Sequence, residues 1–268
     1  GATRQAHNDS ACSGLLMALN YLPDISREEI FREHMSWGDA RRDLGDPATR
    51  FENTPEPGRR LRIGYVSPDF RRNHSVTYFA EPVISSHNRA GFEIFCYSMM
   101  PRPDETTMRL MKVADHWRDI HGWNAYQVDA RIREDGIDIQ VDLEGHTEHT
   151  QIDVYARKPA PVQVTYIGYP NTTGLQAMDY RLTDALADRE DADPFYTESL
   201  VRLPGCFLCY QPPADAPPVS SLPALENGYI TFASFNNLAK VNEGVVALWS
   251  RVLEAAPGSH LMLKYQAL

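Results

Sequence analysis

The sequence predicts a parallel α/β protein built in two units, and three observations carry that reading. Short β-rich runs recur from Leu61 onward: "LRIGYVS", "FEIFCYS", "HWRDI", "IDIQVDL" and "VQVTYIG". Stretches with helical patterning lie between them, over intervals long enough for the crossovers that join parallel strands. A Pro- and Ala-rich stretch at 211–225 then precedes a fresh β-α-β pattern beginning near Gly228. The expected architecture is a doubly wound sheet with helices on both faces, followed by the start of a second α/β unit.

Composition supports a packed core. Of 268 residues, 43% are hydrophobic and 10% aromatic, which excludes a disordered or collagen-like chain. At about 150 residues per domain, that length corresponds to fewer than two domains. Lys and Arg number 26 against 36 Asp and Glu, a net charge of −10. Duplex nucleic acid and anionic membranes attract an excess of cations, so neither is an expected partner. An anionic small molecule stays open, because one or two local cations and the N–H groups of a helix terminus suffice for it. Cys12, Cys96, Cys206 and Cys209 are too few and too scattered for a disulfide framework. The N-terminus carries no basic segment followed by an apolar run, and no stretch of about 18 apolar residues occurs. A reducing cytoplasm is the expected compartment. Gly1-Ala2 at one end and Tyr265–Leu268 at the other read as the ends of a fragment.

The elements follow in order. Residues 9–21 read as a helix after Asp9 and Ser10, with Leu15, Leu16, Met17, Leu19 and Tyr21 as its apolar cluster and Pro23 as its stop. Ser26 and Glu29 have the spacing of a capping box. The helix they open is expected to run to about Arg42, with Ile30, Phe31, His34 and Met35 on one face. Residues 44–60 hold Gly45, Pro47, Pro55, Pro57 and Gly58 and read as a linker and domain boundary. Helices are expected at 75–88, 104–114, 124–135 and 151–157, and further short strands at "MDYRLTD" and "LVRLP". In the second unit, "GYITFAS" and "HLMLK" are strands, and Asn242 caps a helix with Val245, Leu248, Trp249, Val252 and Leu253 on one stripe. One β-α-β is less than a doubly wound sheet needs, so this unit is expected to be cut short. The partition is an N-terminal helical segment at 1–45, a linker at 46–60, a first lobe at 61–225 and the start of a second lobe at 226–268. No internal repeat with a period of 20–50 residues is present.

Ligands of open parallel sheets bind at the carboxyl ends of the strands, so the residues after each strand come first. After "LRIGYVS" stand Asp69, Arg71, Arg72, Asn73, His74 and Ser75. Asp69 and His74 are candidate proton-transfer groups there; the competing reading makes Asp69 or Asn73 a helix cap and the arginines solvated. After the fourth strand come Asp142, Glu144, Gly145, His146, Thr147 and His149, which suit a polar loop lining a cleft better than a metal site. "GYPNTTG" at 168–174 either brings its backbone to a ligand or is an ordinary turn. Cys206 and Cys209 form a lone CxxC and read as two small buried residues in or near a strand. Residues 176–200 hold seven acidic and two basic residues and read as solvated surface. In "SFNNLAK", Lys240 stands after a strand and before the Asn242 helix, placed either to neutralise a phosphate or to sit in solvent.

Several of these segments resemble the protein O-linked N-acetylglucosamine transferases of the SPINDLY-like group, in their bacterial form. They are "LRIGYVSPDF", "NHSVTYF", "FEIFCYS", "RKPAPVQVTYIGYPNTTGLQAMDYRLTD", "YTESLVRLP" and "ITFASFNNLAK". The likeness runs from about residue 8 to 268. It implies a GT-B-like fold: a complete first Rossmann-like lobe, a short N-terminal helical segment and a truncated second lobe that binds UDP. It implies inverting transfer of N-acetylglucosamine from UDP-GlcNAc to Ser or Thr hydroxyls of proteins. It further implies no cofactor, no obligatory metal and tetratricopeptide repeats upstream. The residues that match the family's catalytic positions are Asp69, His74, His34 and Lys240; those on its donor-binding positions are Ser75, Tyr169, Pro170, Asn237 and Lys240. The long insert of animal members between the lobes is absent. The spacing from Asp69 to His74 is five residues where the family has four, which predicts a bulge or a rotated helix start. With the later donor-binding elements lying beyond Leu268, the 268 residues alone are expected not to turn over a UDP-sugar. The alternatives are a GT-B transferase with another donor or acceptor, and a non-catalytic Rossmann-like binding module.

Overall fold

The computed structural model describes residues 2–45, 50–212 and 216–264, with side chains from Ala11 onward. Pro47 of the expected linker, residues 213–215 of the Pro-rich stretch and the last four residues lie outside the described residues. The chain forms two compact units, Gly1–Asn20 with Ile25–Gln211 and Tyr21–Asp24 with Pro212–Leu268.

The first unit opens with α1 (Ala2–Leu19) and α2 (Arg27–Asp39). It continues with β1 (Leu61–Ser67), α3 (Ser75–Ser86), β2 (Phe92–Ser98), α4 (Glu105–Val113) and β3 (His116–Asp119). Then follow α5 (Ala125–Glu134), β4 (Ile139–Asp142), α6 (Ile152–Ala156), β5 (Val162–Tyr166), β6 (Tyr180–Asp184) and β7 (Ser199–Leu203). The seven strands make one sheet in the order β3-β2-β1-β4-β5-β6-β7, and every neighbouring pair is parallel. This is the doubly wound sheet the strand pattern predicts.

Strand alternation sorts side chains onto two cores. Ile63 and Tyr65 of β1, Ile94 and Cys96 of β2 and Val141 of β4 pack with Val76, Ala80, Ile84 and Leu110 from α3 and α4. Val66, Phe95 and Tyr97 face the other way, against Leu16 of α1, Trp37 of α2, Val128 and Ile132 of α5 and Val154 and Tyr155 of α6. The two N-terminal helices therefore pack into the same unit as the sheet.

Three expectations about the N-terminal helices change. Helix α1 starts at Ala2, well before Asp9 and Ser10, because the preceding Ala, Arg and Gln residues are strong helix formers. It ends before Pro23, where the Asn20 amide donates to the carbonyls of Leu16 and Met17. The capping box of Ser26 and Glu29 is present, but α2 stops at Asp39. Its buried residues are His34, Trp37 and Gly38, while Ile30, Phe31 and Met35 are half-buried. Contact with the sheet unit, rather than apolarity alone, selects that face.

The stretch at 50–60 is pinned to the sheet. Asn53 donates to Asp138 at 2.7 Å and Arg59 grips the same carboxylate with both terminal nitrogens. Burial works to raise the Asp138 pKa, but the Arg59 bond, the Arg62 amide and Asn53 outweigh it and hold the group below its ordinary value. The acidic stretch 176–200 is also less solvated than its composition predicts: Arg181, Asp184, Asp188 and Glu198 are buried.

In the second unit, α7 (Pro223–Asn227) ends at Gly228, which takes the left-handed conformation at φ 76°. Strands β8 (Thr231–Ser234) and β9 (His260–Leu263) pair in parallel across α8 (Glu243–Ala255). Asn242 caps α8 by accepting the Val245 N–H at 3.0 Å. Val245, Trp249, Val252 and Leu253 of the expected stripe are half-buried, whereas Leu248 is exposed.

Candidate active site

Strands β1 and β4 are neighbours at the centre of the sheet, and the strand order runs outward from them in both directions. The crevice beyond their carboxyl ends is the topological switch point, where such sheets bind ligands. Three loops meet there, after β1, β4 and β5.

The loop after β1 carries Asp69 and His74. The Ser67 hydroxyl accepts the Asp69 amide N–H at 2.9 Å and donates to Glu144 Oε1 at 2.5 Å, tying the first loop to the second. His74 Nδ1 stands 3.3 Å from Asp69 Oδ2, outside hydrogen-bonding alignment. Arg71 pairs with the other Asp69 oxygen at 3.2 Å. Burial, partly offset by the Asp69 charge and reinforced by Arg71, holds the His74 pKa below its ordinary value, so the imidazole is neutral at neutral pH. The extra residue between Asp69 and His74 is absorbed by Asn73, which adopts φ 59°. Asn tolerates the left-handed region because its short side chain crowds the backbone little. His74 consequently keeps the position immediately before α3, and Ser75 opens the helix exposed to solvent.

The loop after β4 is folded around Asp142, which accepts the N–H groups of Glu144 and Gly145 and the Thr165 hydroxyl. Glu144 is 2% exposed. Burial and the neighbouring Asp69 charge push its pKa well above the carboxylate range.

His34, His146 and Tyr169 form a buried cluster that joins α1 and α2 to these loops. His34 is 0% exposed; its Nδ1–H donates to the Ile30 carbonyl and its Nε2 accepts the Tyr169 hydroxyl, each at 2.7 Å. Asn20 donates to that hydroxyl at 3.0 Å. His146 Nε2–H donates to the Thr173 carbonyl at 2.8 Å, and its Nδ1 accepts the Ser13 hydroxyl at 3.0 Å. A ring nitrogen facing a carbonyl carries the proton, so both tautomers follow from their partners. Burial lowers both pKa values, that of His146 to about 3. His149 is exposed and does not converge on His146. Among the described residues, no group of three His, Cys, Asp or Glu is placed to hold a metal ion.

The third loop, 168–174, is clamped from behind. Glu198 accepts the Thr172 hydroxyl and the Thr173 N–H, each at 2.7 Å, and the Thr173 hydroxyl. Arg181 donates to the carbonyls of Tyr169 and Asn171. Helix α2 docks through two glycines: a Cβ on Gly38 would lie 1.9 Å from the Gly174 carbonyl oxygen. Ile167 is held at φ 68°, a strain of about 1–3 kcal/mol in a β-branched residue. The Tyr169 side chain points into the His34 cluster, and Pro170 is exposed.

The first unit thus brings Asp69, His74 and Ser75 together at one edge, with His34 and Tyr169 joined behind them. Asn237 and Lys240 lie in the second unit. There Asn237 Oδ1 accepts the Ala239 N–H at 3.0 Å, and Lys240 is exposed at the end of a single 3-10 turn. Cys206 and Cys209 are exposed, contrary to expectation, because they follow β7 at the open edge of the sheet. The clamp residues Arg181 and Glu198 escaped the sequence reading. For Arg181 the strand alternation of "YRLTD" held a usable signal; for Glu198 no local signal exists.

A doubly wound sheet with an imidazole, a carboxylate and a helix start at its switch point defines an α/β protein built to hold a polar ligand. The chain belongs to glycosyl transferase family 41, whose model matches residues 27–211. It is 45% identical over 253 residues to a probable UDP-N-acetylglucosamine--peptide N-acetylglucosaminyltransferase SPINDLY of Solanum lycopersicum, covering 93% of this chain and 27% of that protein. A Caenorhabditis elegans UDP-N-acetylglucosamine--peptide N-acetylglucosaminyltransferase is 37% identical over 154 residues, covering 56% of this chain and 13% of that one. The structure of a Lys-to-Met mutant of Thermobaculum terrenum O-GlcNAc transferase superposes with a TM-score of 0.88 at 40% identity. That match covers 95% of this chain and 48% of the other. The architecture is the GT-B-like one expected, and the chain spans about a quarter of the length of the curated relatives it matches at 27–28%.

Proposed function

We propose that this chain is the acceptor-side part of a protein O-GlcNAc transferase, moving N-acetylglucosamine from UDP-GlcNAc to Ser or Thr hydroxyls with inversion. The observation that carries the reading is the Asp69–His74 pair beside the exposed start of α3 at the switch point. In an inverting displacement the acceptor oxygen attacks the anomeric carbon as its bond to the diphosphate breaks. The acceptor proton must leave, and the neutral His74 ring, whose Nδ1 lies 3.3 Å from the Asp69 carboxylate, can take it at Nε2. His34 suits this task less, since both its nitrogens are engaged in the buried cluster. It positions Tyr169 and the 168–174 loop instead. Ser75 and Pro170 supply exposed groups for the donor.

The departing diphosphate gains charge, and Lys240 is the residue we assign to it, with Asn237 shaping the turn that presents it. Side-chain cations in that role make an obligatory metal unnecessary. We further propose cytoplasmic residence, a bacterial source and tetratricopeptide repeats upstream in the parent protein. No described helix is long and apolar enough to cross a membrane. The acidic balance of −10 argues against nucleic acid as a partner.

The test is incorporation of labelled sugar into Ser- and Thr-containing acceptor peptides by the full-length gene product. UDP-GlcNAc should be used in preference to other nucleotide sugars, and β-elimination should release the label. Preference for a different donor, or labelling that resists β-elimination, would overturn the assignment.

A further inference from the structure

The loop that carries Asp69 and His74 is fastened from three elements. From β1, the Ser67 hydroxyl accepts the Asp69 N–H at 2.9 Å. From α3, the Thr77 hydroxyl donates to the Asp69 carbonyl. The third fastening comes from the start of α4. There the Thr107 hydroxyl donates to the Phe70 carbonyl at 2.6 Å, and Asp104 Oδ2 accepts the Arg72 N–H at 2.7 Å. These two residues stand 37 and 32 positions along the chain from the groups they hold. Thr107 and Phe70 are both buried, and the Phe70 ring packs against that of Trp117.

Each of the α4 residues bonds in two directions. Asp104 is the N-cap of the helix: its Oδ1 accepts the Thr107 N–H at 2.9 Å, and the Thr107 hydroxyl oxygen accepts the Asp104 N–H at 3.1 Å. That capping box occupies one carboxylate oxygen and one hydroxyl lone pair. The other carboxylate oxygen and the hydroxyl proton are surplus to the helix, and both go to the loop. Serine or asparagine, with a single acceptor oxygen, caps a helix about as well as aspartate. The helix therefore does not require the second Asp104 oxygen; the Arg72 N–H does. Burial works to raise the Asp104 pKa, but the Thr107 and Arg72 amides outweigh it and keep the carboxylate ionised at neutral pH.

We propose that Asp104 and Thr107 are positioning residues that clamp the 69–74 loop to α4 and so fix where Asp69 and His74 stand. The clamp bears on the residues between the pair. Phe70 and Arg72 are tied to α4, and Asn73 then makes its left-handed turn with its side-chain oxygen accepting the Tyr78 hydroxyl at 3.2 Å. Reacting groups displaced by about 1 Å can lose about 10²-fold in rate, so slack at Phe70 and Arg72 reaches both members of the pair. The effect on turnover rests on the transferase reading; the clamp does not.

Two measurements test it separately. Amide hydrogen exchange of the full-length protein, resolved at Arg72 and across 105–113, reads the clamp itself. The Arg72 N–H should be protected in the parent and should exchange at least about tenfold faster in Asp104→Ser, while the α4 amides keep their protection. An Arg72 N–H that is unprotected in the parent, or equally protected in both, overturns the proposal whatever the sugar chemistry. Loss of protection across α4 as a whole makes Asp104 a helix cap only, and overturns it too. In turnover of UDP-GlcNAc, Asp104→Ser and Thr107→Val should lower kcat about 10- to 100-fold with little change in the donor KM. Thr107→Ser keeps the hydroxyl and should restore most of the rate lost in Thr107→Val. Parental kcat in Asp104→Ser, or a Ser variant at 107 as poor as the Val variant, overturns the positioning role. If exchange follows the expected pattern but the parent transfers no sugar from UDP-GlcNAc, the clamp stands and the transferase reading falls.

Discussion

Acidification should unlock the buried histidine cluster before it touches the Asp135 and Asp138 ion pairs. His146 is 1% exposed, neutral, and has its pKa pushed down to about 3 by burial. In the unfolded chain the same ring titrates near 6.5. Below that value the unfolded state binds more protons than the folded state, so stability falls with pH. The contribution is complete above pH 6.5 and is lost progressively as pH falls toward 3. Each unit is worth about 1.4 kcal/mol, so the step from pH 6.5 to 5.0 removes about 2 kcal/mol through His146 alone. His34, lowered in the same direction, adds to the slope. Asp135 and Asp138 have depressed carboxyl pKa values, so their contribution persists until pH falls below about 4. The raised Glu144 works against the histidine effect as pH falls, and comparison with a His146 variant cancels that contribution. The assay is urea unfolding of the chain at pH 7.0, 6.0 and 5.0, followed by tryptophan fluorescence. Trp37 reports locally, its ring lying 4.4 Å from that of His146. His146→Gln should be less stable at pH 7 but should lose about 2 kcal/mol less than the parent between pH 6.5 and 5.0. Equal slopes in the two proteins would refute the assignment of a buried, neutral His146.

Three other outcomes follow from the same contacts. Gly38→Ala drives a Cβ to 1.9 Å from the Gly174 carbonyl oxygen and should cost at least about 1–3 kcal/mol, read as a lower urea midpoint. Glu198→Ala strands both Thr173 donors in a buried site and leaves the Thr172 hydroxyl only the Thr197 hydroxyl to donate to. Unsatisfied donors cost about 1–3 kcal/mol each, and proteolysis should then cut first within 168–174, whereas an unchanged cleavage pattern would show that the loop needs no clamp. Lys240→Met in the full-length protein should lower turnover by about 10²–10³, with Lys240→Arg restoring only part of it. A Met variant keeping more than about a third of parental turnover would remove Lys240 from the leaving-group role.

Much of the fold was legible because parallel strands buried on both faces read as short apolar runs. "LRIGYVS" and "FEIFCYS" coincide with β1 and β2 residue for residue. Helix ends were less legible, since the start of α1 depends on propensity spread over many residues rather than on one capping signal. Asp69 and His74 stood out because they follow a strand and precede a helix. The cluster behind them did not: His34 and Tyr169 are 135 residues apart, and Ser13 and His146 are 133 apart. Local pattern carries no trace of such pairs. Charge composition misled at 176–200, where Arg181, Asp188 and Glu198 turn inward to satisfy hydroxyl, amide and carbonyl groups. A count of charges cannot tell which of them face water.

The central claim is that the reacting groups sit after β1 at the switch point. It is tested most directly by steady-state transfer from UDP-GlcNAc by the full-length gene product and its Asp69→Asn and His74→Ala variants, measured across pH. Loss of a positioned general base typically costs about 10²–10⁴ in rate, so both variants should fall by that much with donor binding largely kept. His74→Ala should also lose the acid limb that the neutral imidazole imposes. Variants that retain more than about a third of parental turnover with an unchanged pH profile would place the chemistry elsewhere.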